Sequence, residues 1–236
     1  MSDMKGRWTL IVHGGAKEIE PGEEGENRSG CLEALAAGRA ILEAGGSALE
    51  AVEASVRVLE SLPVFNAGHG SVLNAKGEVE MCAAIMDGRT LDIGAVAAIM
   101  GVRHPVSVAK SMLREAPILL AGEGAFMFAR DNHAELCDPA ELAAAAQEEG
   151  HDTVGAVALD ANGNLAAGTS TGGLSGALKG RLGDSSLPGC GYYADNKIGA
   201  VALSGQGEEI ARLAVAAQIM AALRRDGPED AARKAV

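Results

Sequence analysis

Apolar residues along the chain recur at helical spacing in some stretches and crowd into short continuous runs in others. Trp8-Thr9-Leu10-Ile11-Val12 is such a run and reads as a first strand, with His13-Gly14-Gly15 as a sharp exit. Residues 29–44 read as a helix stopped by Gly45-Gly46. Ser47 and Glu50 stand at capping-box spacing for a second helix. Its Leu49, Val52, Val56 and Leu59 share one face, and Pro63 ends it. Ser71-Val72-Leu73 and Glu78-Val79-Glu80-Met81 read as a hairpin about Asn74-Ala75-Lys76-Gly77. Residues 83–86 and 94–100 read as buried strands, and 105–114 as a helix opened by its proline. Residues 118–120 read as a short strand, and 124–130 and 139–149 as helical.

The middle of the chain carries the stretch on which the rest bears. His151-Asp152 runs into Thr153, which opens the apolar run Val154-Gly155-Ala156-Val157-Ala158-Leu159, and Asp160-Ala161-Asn162-Gly163 is a turn signal behind it. This is the pattern of a strand buried on both faces with a hydroxyl at its mouth. Residues 165–168 can pair back with it. Residues 169–196 are dense in Gly, Ser and Asp, and long segments of that kind are usually functional or disordered. Residues 198–203 read as another buried strand. A helix follows from Gly207 with Ile210, Leu213, Ala214, Ala217 and Ala221 on one face, ended by Asp226-Gly227-Pro228, and a last helix begins near Glu229. Helices early and late, with hairpin-like strands between, predict an α+β fold in which helices cover stacked sheets.

Composition narrows the function classes. The chain has 236 residues and a net charge of −12, which disfavours nucleic acid as a partner. Cys31, Cys82, Cys137 and Cys190 lie far apart, which fits a reducing cytoplasm better than a disulfide framework. The early apolar run is too short for a signal peptide, and no later one approaches a membrane span. His13, His69, His104, His133 and His151 show no metal-ligand spacing. Gly68-His69-Gly70 and Gly122-Glu123-Gly124 begin like a dinucleotide fingerprint, but Leu73 and Met127 stand at the third glycine. There is no P-loop, and paired glycosidase carboxylates cannot be picked out from so many acids.

Three groups after Thr153 can carry chemistry. Thr169-Ser170-Thr171-Gly172-Gly173 is a hydroxyl-rich turn, and taken alone an ordinary Ser/Thr turn is the plainer reading. In Gly180-Arg181-Leu182-Gly183-Asp184-Ser185 the guanidinium suits a carboxylate and the Asp an ammonium, so the pair can clamp an amino-acid head group; a surface ion pair is the plainer reading. Ser204-Gly205-Gln206-Gly207-Glu208 sits between a strand and a helix, where backbone N–H groups favour an anion, or where glycine merely makes a tight turn.

Taken in order, these pieces resemble the isoaspartyl peptidase/L-asparaginase family, the plant-type asparaginases among the N-terminal nucleophile hydrolases. The matching text includes Ile11-Val12-His13-Gly14-Gly15-Ala16, Phe65-Asn66-Ala67-Gly68 with Gly70, Met86-Asp87-Gly88 and Gly94-Ala95-Val96-Ala97. It continues through Asp152-Thr153-Val154-Gly155, the hydroxyl-rich group, Gly180 to Ser185, Tyr193-Ala194-Asp195-Asn196 and Gly205-Gln206-Gly207-Glu208, over almost the whole chain.

The resemblance implies a four-layer αββα sandwich, one domain over residues 1–236, and a precursor that cuts itself between Asp152 and Thr153 into chains 1–152 and 153–236. It implies Thr153 as nucleophile, Thr171 as the hydroxyl that activates it, Ser204 and Gly205 as the oxyanion hole, and Asn66 nearby. It implies Arg181 on the substrate α-carboxylate and Asp184 on its α-ammonium, helped by Gly207, with Leu182, Gly183 and Gln206 in the same loops. The freed α-amine, titrating near ~7.7–8.0, would be the base. No catalytic cofactor is implied. A structural sodium on the backbone carbonyls of Leu59, Glu60, Leu62, Phe65, Ala67 and His69 is implied, and so is a homodimer of processed units. The implied substrates are asparagine and β-aspartyl dipeptides; an aspartyl-specific threonine endopeptidase, a glycosylasparaginase-like amidase and an unprocessed non-enzymatic relative are the alternatives. Ser204 stands where Thr is usual and Asp152 where Gly is frequent. The family continues past the point where this chain stops, so part of its C-terminal half is expected to be missing.

Overall fold

The computed structural model describes residues 6–143 and 152–235. Its strands are β1 (Thr9–His13), β2 (Met81–Asp87), β3 (Ile93–Ile99), β4 (Leu119–Ala121), β5 (Val154–Leu159), β6 (Leu165–Thr171), β7 (Tyr192–Asp195) and β8 (Gly199–Ala202). Its α-helices are α1 (Glu24–Glu43), α2 (Ala48–Ser61), α3 (Pro105–Ser111), α4 (Gly122–Asp131), α5 (Gly207–Leu213), α6 (Val215–Asp226) and α7 (Pro228–Ala235). Six strands form one sheet in the order β1-β5-β6-β2-β3-β4, and β7 pairs with β8 in a second. All pairings are antiparallel except β3 with β4.

Four layers follow from which residues are apolar on which face. Successive strand side chains point to opposite faces, and in β2 the two faces enter different cores. Met81, Ala83 and Ile85 join the core beneath the helices, while Ala84 and Met86 join a second one with Tyr192 and Ala194 of β7. Val96 and Ala95 in β3, and Ala166 and Ala167 in β6, divide the same way. α2 lies across β5 and β6, α3 across β2 and β3, and on the far side β7 and β8 pack on β6 with α6 behind them. The order is helices, six-stranded sheet, two-stranded sheet, helix, which is the expected αββα sandwich.

α2 is legible residue by residue. The Ser47 side chain accepts the Glu50 N–H and the Glu50 carboxylate accepts the Ser47 N–H, a reciprocal cap contributing about 1 kcal/mol. Ala48, Ala51, Val52, Ser55, Val56 and Leu59 form its buried face. Fully burying side chains such as Val56 and Leu59 contributes roughly 1.5–3 kcal/mol each.

Other expectations need correction. α1 begins at Glu24, ahead of the expected start at residue 29. Residues 71–81 form no hairpin. Asn74 makes the turn, its Oδ1 accepting the Lys76 and Glu78 N–H groups, but Ser71 N–H goes to the Leu142 carbonyl and Val72 N–H to Asn66 Oδ1. The hydroxyl-rich group 169–171 is no turn; it is the end of β6, paired with β2 and β5. The helix from Gly207 is broken at Ala214, whose φ of 48° is left-handed. The break resets the buried face to Ile210, Ala216, Ile219, Met220 and Ala222 and leaves Leu213, Ala217 and Ala221 exposed. Residues 139–142 form a 3₁₀ turn, Ala143 bridges to Ser71, and residues 144–149 of the expected helix, together with His151, lie outside the described residues. Among the described residues, no helix is long and apolar enough to cross a membrane.

Candidate active site

Thr153 immediately precedes β5, and the sheet fixes it. β5 lies between β1 and β6, with His13 opposite Gly155 and Ser170 opposite Val154. Thr153 is only 6 % exposed. Its hydroxyl is 2.9 Å from the Ser185 hydroxyl, and its backbone N–H donates to Ser204 Oγ at 3.1 Å. Asp152 precedes it, joined by one peptide bond.

The carbonyl of that bond is held by two donors. Thr171 Oγ1 donates to the Asp152 oxygen at 2.7 Å, and Asn66 Nδ2 approaches it at 3.4 Å. Strand alternation explains the first contact. Thr169 and Thr171 share one face of β6, Thr169 donating to the Ser185 carbonyl, while Ser170 turns to the helix side and donates to Glu60 Oε1. Thr171 Oγ1 also accepts the Gly173 N–H, which aims its proton at Asp152. Asn66 is fixed by three further bonds. Its amide donates to the Gly173 carbonyl, its Oδ1 accepts the Val72 N–H, and its backbone carbonyl accepts the Gly172 N–H.

The clamp residues converge too. Asp184 and Ser185 lie in a 3₁₀ turn and are buried. A β-carbon at Gly207 would stand 2.9 Å from Asp184 Oδ1 and 3.2 Å from Arg181 Nη2, so only a glycine lets α5 approach this closely. Arg181 spends both arms of its fork on Glu208, Nε to Oε1 at 2.8 Å and Nη2 to Oε2 at 2.7 Å. Asp184 Oδ2 is buried without a hydrogen-bond partner. Burial is the main force on this carboxyl and raises it to about 6, against the pull of Arg181. Gly205 follows Ser204 with a φ of 156°. Leu182 and Gln206 are solvent-facing loop residues that adjoin the cluster through the chain.

Three groups near Thr153 carry no role in the sequence reading. Ser185 appears there only as the last letter of a motif, although its place directly after Asp184 was the available signal. The N–H group of Ala16 donates to Asp152 Oδ1 at 2.6 Å, and Lys17 follows it in the same loop. Burial pushes that carboxyl above its usual range, opposed by the Ala16 N–H, the Lys17 charge and backbone, and the Ser204 hydroxyl. His13 is lowered by burial to about 4, opposed by the Thr153 backbone, and its Nε2 is buried without a hydrogen-bond partner, so a neutral imidazole stands in the site. A cavity of about 340 Å³ opens beside Asp152. A larger one, about 610 Å³, is lined by helix residues and by His104, and shares no residue with this site.

Known proteins share this chain's pattern. The family model described as asparaginase matches residues 6–149 and 140–236. The isoaspartyl peptidase/L-asparaginase of Danio rerio is 43% identical over 230 residues, which cover 89% of this chain and 74% of the relative. That of Rattus norvegicus is 44% identical over 229 residues, 88% of this chain and 68% of the relative. The isoaspartyl peptidase of Escherichia coli (strain K12) is 41% identical over 248 residues, covering 92% and 77%.

Proposed function

We propose that this chain, which belongs to the asparaginase family, is a self-cleaving threonine hydrolase acting on the side-chain amide of L-asparagine and on β-aspartyl dipeptides. The names of its relatives support the substrates. The cutting step rests on one observation, the Asp152 carbonyl held by Thr171 and Asn66 directly before Thr153 in the chain.

The Thr153 oxygen adds to the Asp152 carbonyl carbon, and the charge that develops on the carbonyl oxygen falls on those two donors. The C–N bond breaks, and the threonine nitrogen keeps the proton its hydroxyl gave up. Water then hydrolyses the ester between Asp152 and Thr153. The products are an Asp152 carboxylate and a Thr153 that carries both a hydroxyl and a free α-amine.

That amine titrates near neutrality and lies beside its own hydroxyl, so it can serve as the base. With a bound substrate, the oxygen attacks the side-chain amide carbon while the amine takes its proton. The Ser204 hydroxyl and Gly205 N–H receive the oxyanion. The amine returns the proton to the departing ammonia or amino acid, and water releases aspartate from the acyl ester. Arg181 takes the substrate α-carboxylate in place of Glu208. Asp184 takes the α-ammonium, which supplies the partner its buried oxygen lacks. A clamp that pairs one group for a carboxylate with one for an ammonium suits a free amino-acid head group better than the interior of a protein chain.

Residues 59–69 suit a structural sodium ion. The segment folds back until a β-carbon at Gly68 would stand 2.3 Å from the Glu60 oxygen and one at Gly70 2.4 Å from the Phe65 oxygen. The Leu59, Glu60, Leu62 and Phe65 carbonyls each accept one N–H and keep a second lone pair. Together with those of Ala67 and His69, they would hold a hard cation without side chains.

Intact-mass spectrometry on fresh and incubated protein tests the reading, with ammonia release from asparagine measured alongside. The expected result is two chains, 1–152 and 153–236, and activity that rises with their appearance. Thr153→Ala should remain whole and inactive. A wild-type chain that stays whole and releases no ammonia would overturn the proposal.

A further inference from the structure

The carboxylate of Asp152 marks a site that the cutting step does not need. It is 4 % exposed, and its Oδ1 rests on the loop after β1. Ala16 N–H donates to it at 2.6 Å, Lys17 N–H and the Lys17 charge also bear on it, and Ser204 Oγ approaches at 3.4 Å. Gly15, with a φ of 124°, shapes this cradle; a β-carbon there would fall 1.6 Å from Oδ1, so no other residue leaves the carboxylate room. Successive N–H groups in such a turn form a concave anion site. The other oxygen, Oδ2, is buried without a hydrogen-bond partner, so the cradle holds a carboxylate that its donors do not fully satisfy.

The geometry points to this cradle as the subsite for the leaving residue's α-carboxylate when a β-aspartyl dipeptide is the substrate. The inference rests on the hydrolase reading above. Once the bond before Thr153 is cut, Asp152 is a chain end and can withdraw from the cradle. The nitrogen that leaves a dipeptide must then stand within hydrogen-bond reach, ~3 Å, of the Thr153 amine that protonates it. Its carboxylate is one carbon further on. In the uncut chain the Asp152 carboxylate hangs only a side chain's length from that same nitrogen. Both carboxylates therefore lie within one short radius of Thr153. The adjoining cavity of about 340 Å³, walled by Ile19, Cys31 and Phe65 with Lys17 and Arg28 at its sides, gives the leaving side chain room. Asparagine, which releases only ammonia, leaves the cradle unused.

The test compares β-aspartyl-leucine with its C-terminal amide on the processed protein, with asparagine as the activity control. The free carboxylate should lower KM by about tenfold or more relative to the amide, the effect of one charge-assisted bond set. Lys17→Glu should bring the kcat/KM ratio of acid to amide down to one or below, because the like charge faces the carboxylate. If asparagine is hydrolysed and the two dipeptides show equal KM, the subsite is wrong and the hydrolase reading stands. If none of the three is hydrolysed, both fall.

Discussion

Thr153 lies between two regions built by opposite means. On one side, the pocket around the scissile bond stands on strands. β5 and β6 hold Thr153 and Thr171, and the Asp152 carbonyl, the Thr171 hydroxyl and the Asn66 amide are all hydrogen-bonded to one another or to the backbone. On the other side, the clamp stands on a glycine-rich loop and the start of a short helix. Its arginine is occupied by Glu208, and its aspartate is buried with one oxygen unpartnered. The pocket is complete before any substrate arrives. On the proposed reading, the clamp would be completed by a ligand that brings both a carboxylate and an ammonium. On that reading, cutting and substrate use should separate under mutation, although both would use Thr153.

The largest separation is expected at Thr171. Thr171→Ala removes the short donor to the Asp152 oxygen, and losing one such donor costs about 3 kcal/mol of transition-state stabilisation. Self-cleavage followed by intact mass should slow by roughly 10²–10³-fold, with Thr171→Ser recovering most of the rate. A Thr171→Ala chain that cuts at the wild-type rate would mean that the carbonyl is not polarised from this face.

Asp184→Asn should do the reverse. Cutting should continue, because Asp184 does not touch the Asp152 carbonyl, while kcat/KM for asparagine should fall by about 30-fold or more for a lost charge partner. Stability should rise. The folded state holds the Asp184 proton to about pH 6, whereas an unfolded aspartate releases it near ~3.9. Its contribution is therefore fully present below about pH 4 and is lost as pH rises through about 6. Two pH units correspond to about 3 kcal/mol, so Asp184→Asn should raise Tm by roughly 5–10 °C at pH 8, and the gain should vanish near pH 4. In the wild type, KM for asparagine should climb as pH falls through about 6, where a neutral Asp184 no longer attracts the ammonium. A Tm difference that is the same at pH 4 and pH 8 would show that burial of charge is not what the loop sustains.

The same contrast separates what was legible in the sequence from what was not. Local chemistry could be read directly. The Ser47–Glu50 cap and the β5–β6 hairpin about Asp160–Gly163 depend on residues a few positions apart. Arg181 and Asp184 were visible because they share one short loop. The failures all turn on distant partners. Residues 71–81 lack a hairpin because Leu142 and Asn66 take the N–H groups a partner strand would have used. Nothing in Leu213-Ala214-Val215 signals a helix break. It holds because the Ala216 and Ala217 N–H groups find the Cys190 and Gly189 carbonyls, which belong to the loop beyond Asp184. The cradle at Gly15 was out of reach for the same reason, since its occupant lies 136 residues beyond Ala16.

The smallest effect is expected at Ser185, where the two regions join. It follows Asp184 in the chain, yet its hydroxyl meets the Thr153 hydroxyl at 2.9 Å, and its carbonyl is fixed by Thr169. A neutral hydrogen bond of this kind contributes roughly 0.5–1.5 kcal/mol, a factor of about 2 to 12 in rate if the bond serves the attack. Ser185→Ala should therefore slow self-cleavage about threefold to tenfold and lower kcat for asparagine by a similar factor, with KM little changed because the clamp is intact. The split between kcat and KM distinguishes positioning from packing, since a collapsed loop would displace Asp184 and raise KM as well. Faster cutting in Ser185→Ala would show instead that the bond holds the Thr153 hydroxyl away from the Asp152 carbonyl. The pocket would then contain a restraint as well as a nucleophile, and its assembly before cutting would be less complete than its hydrogen bonds indicate.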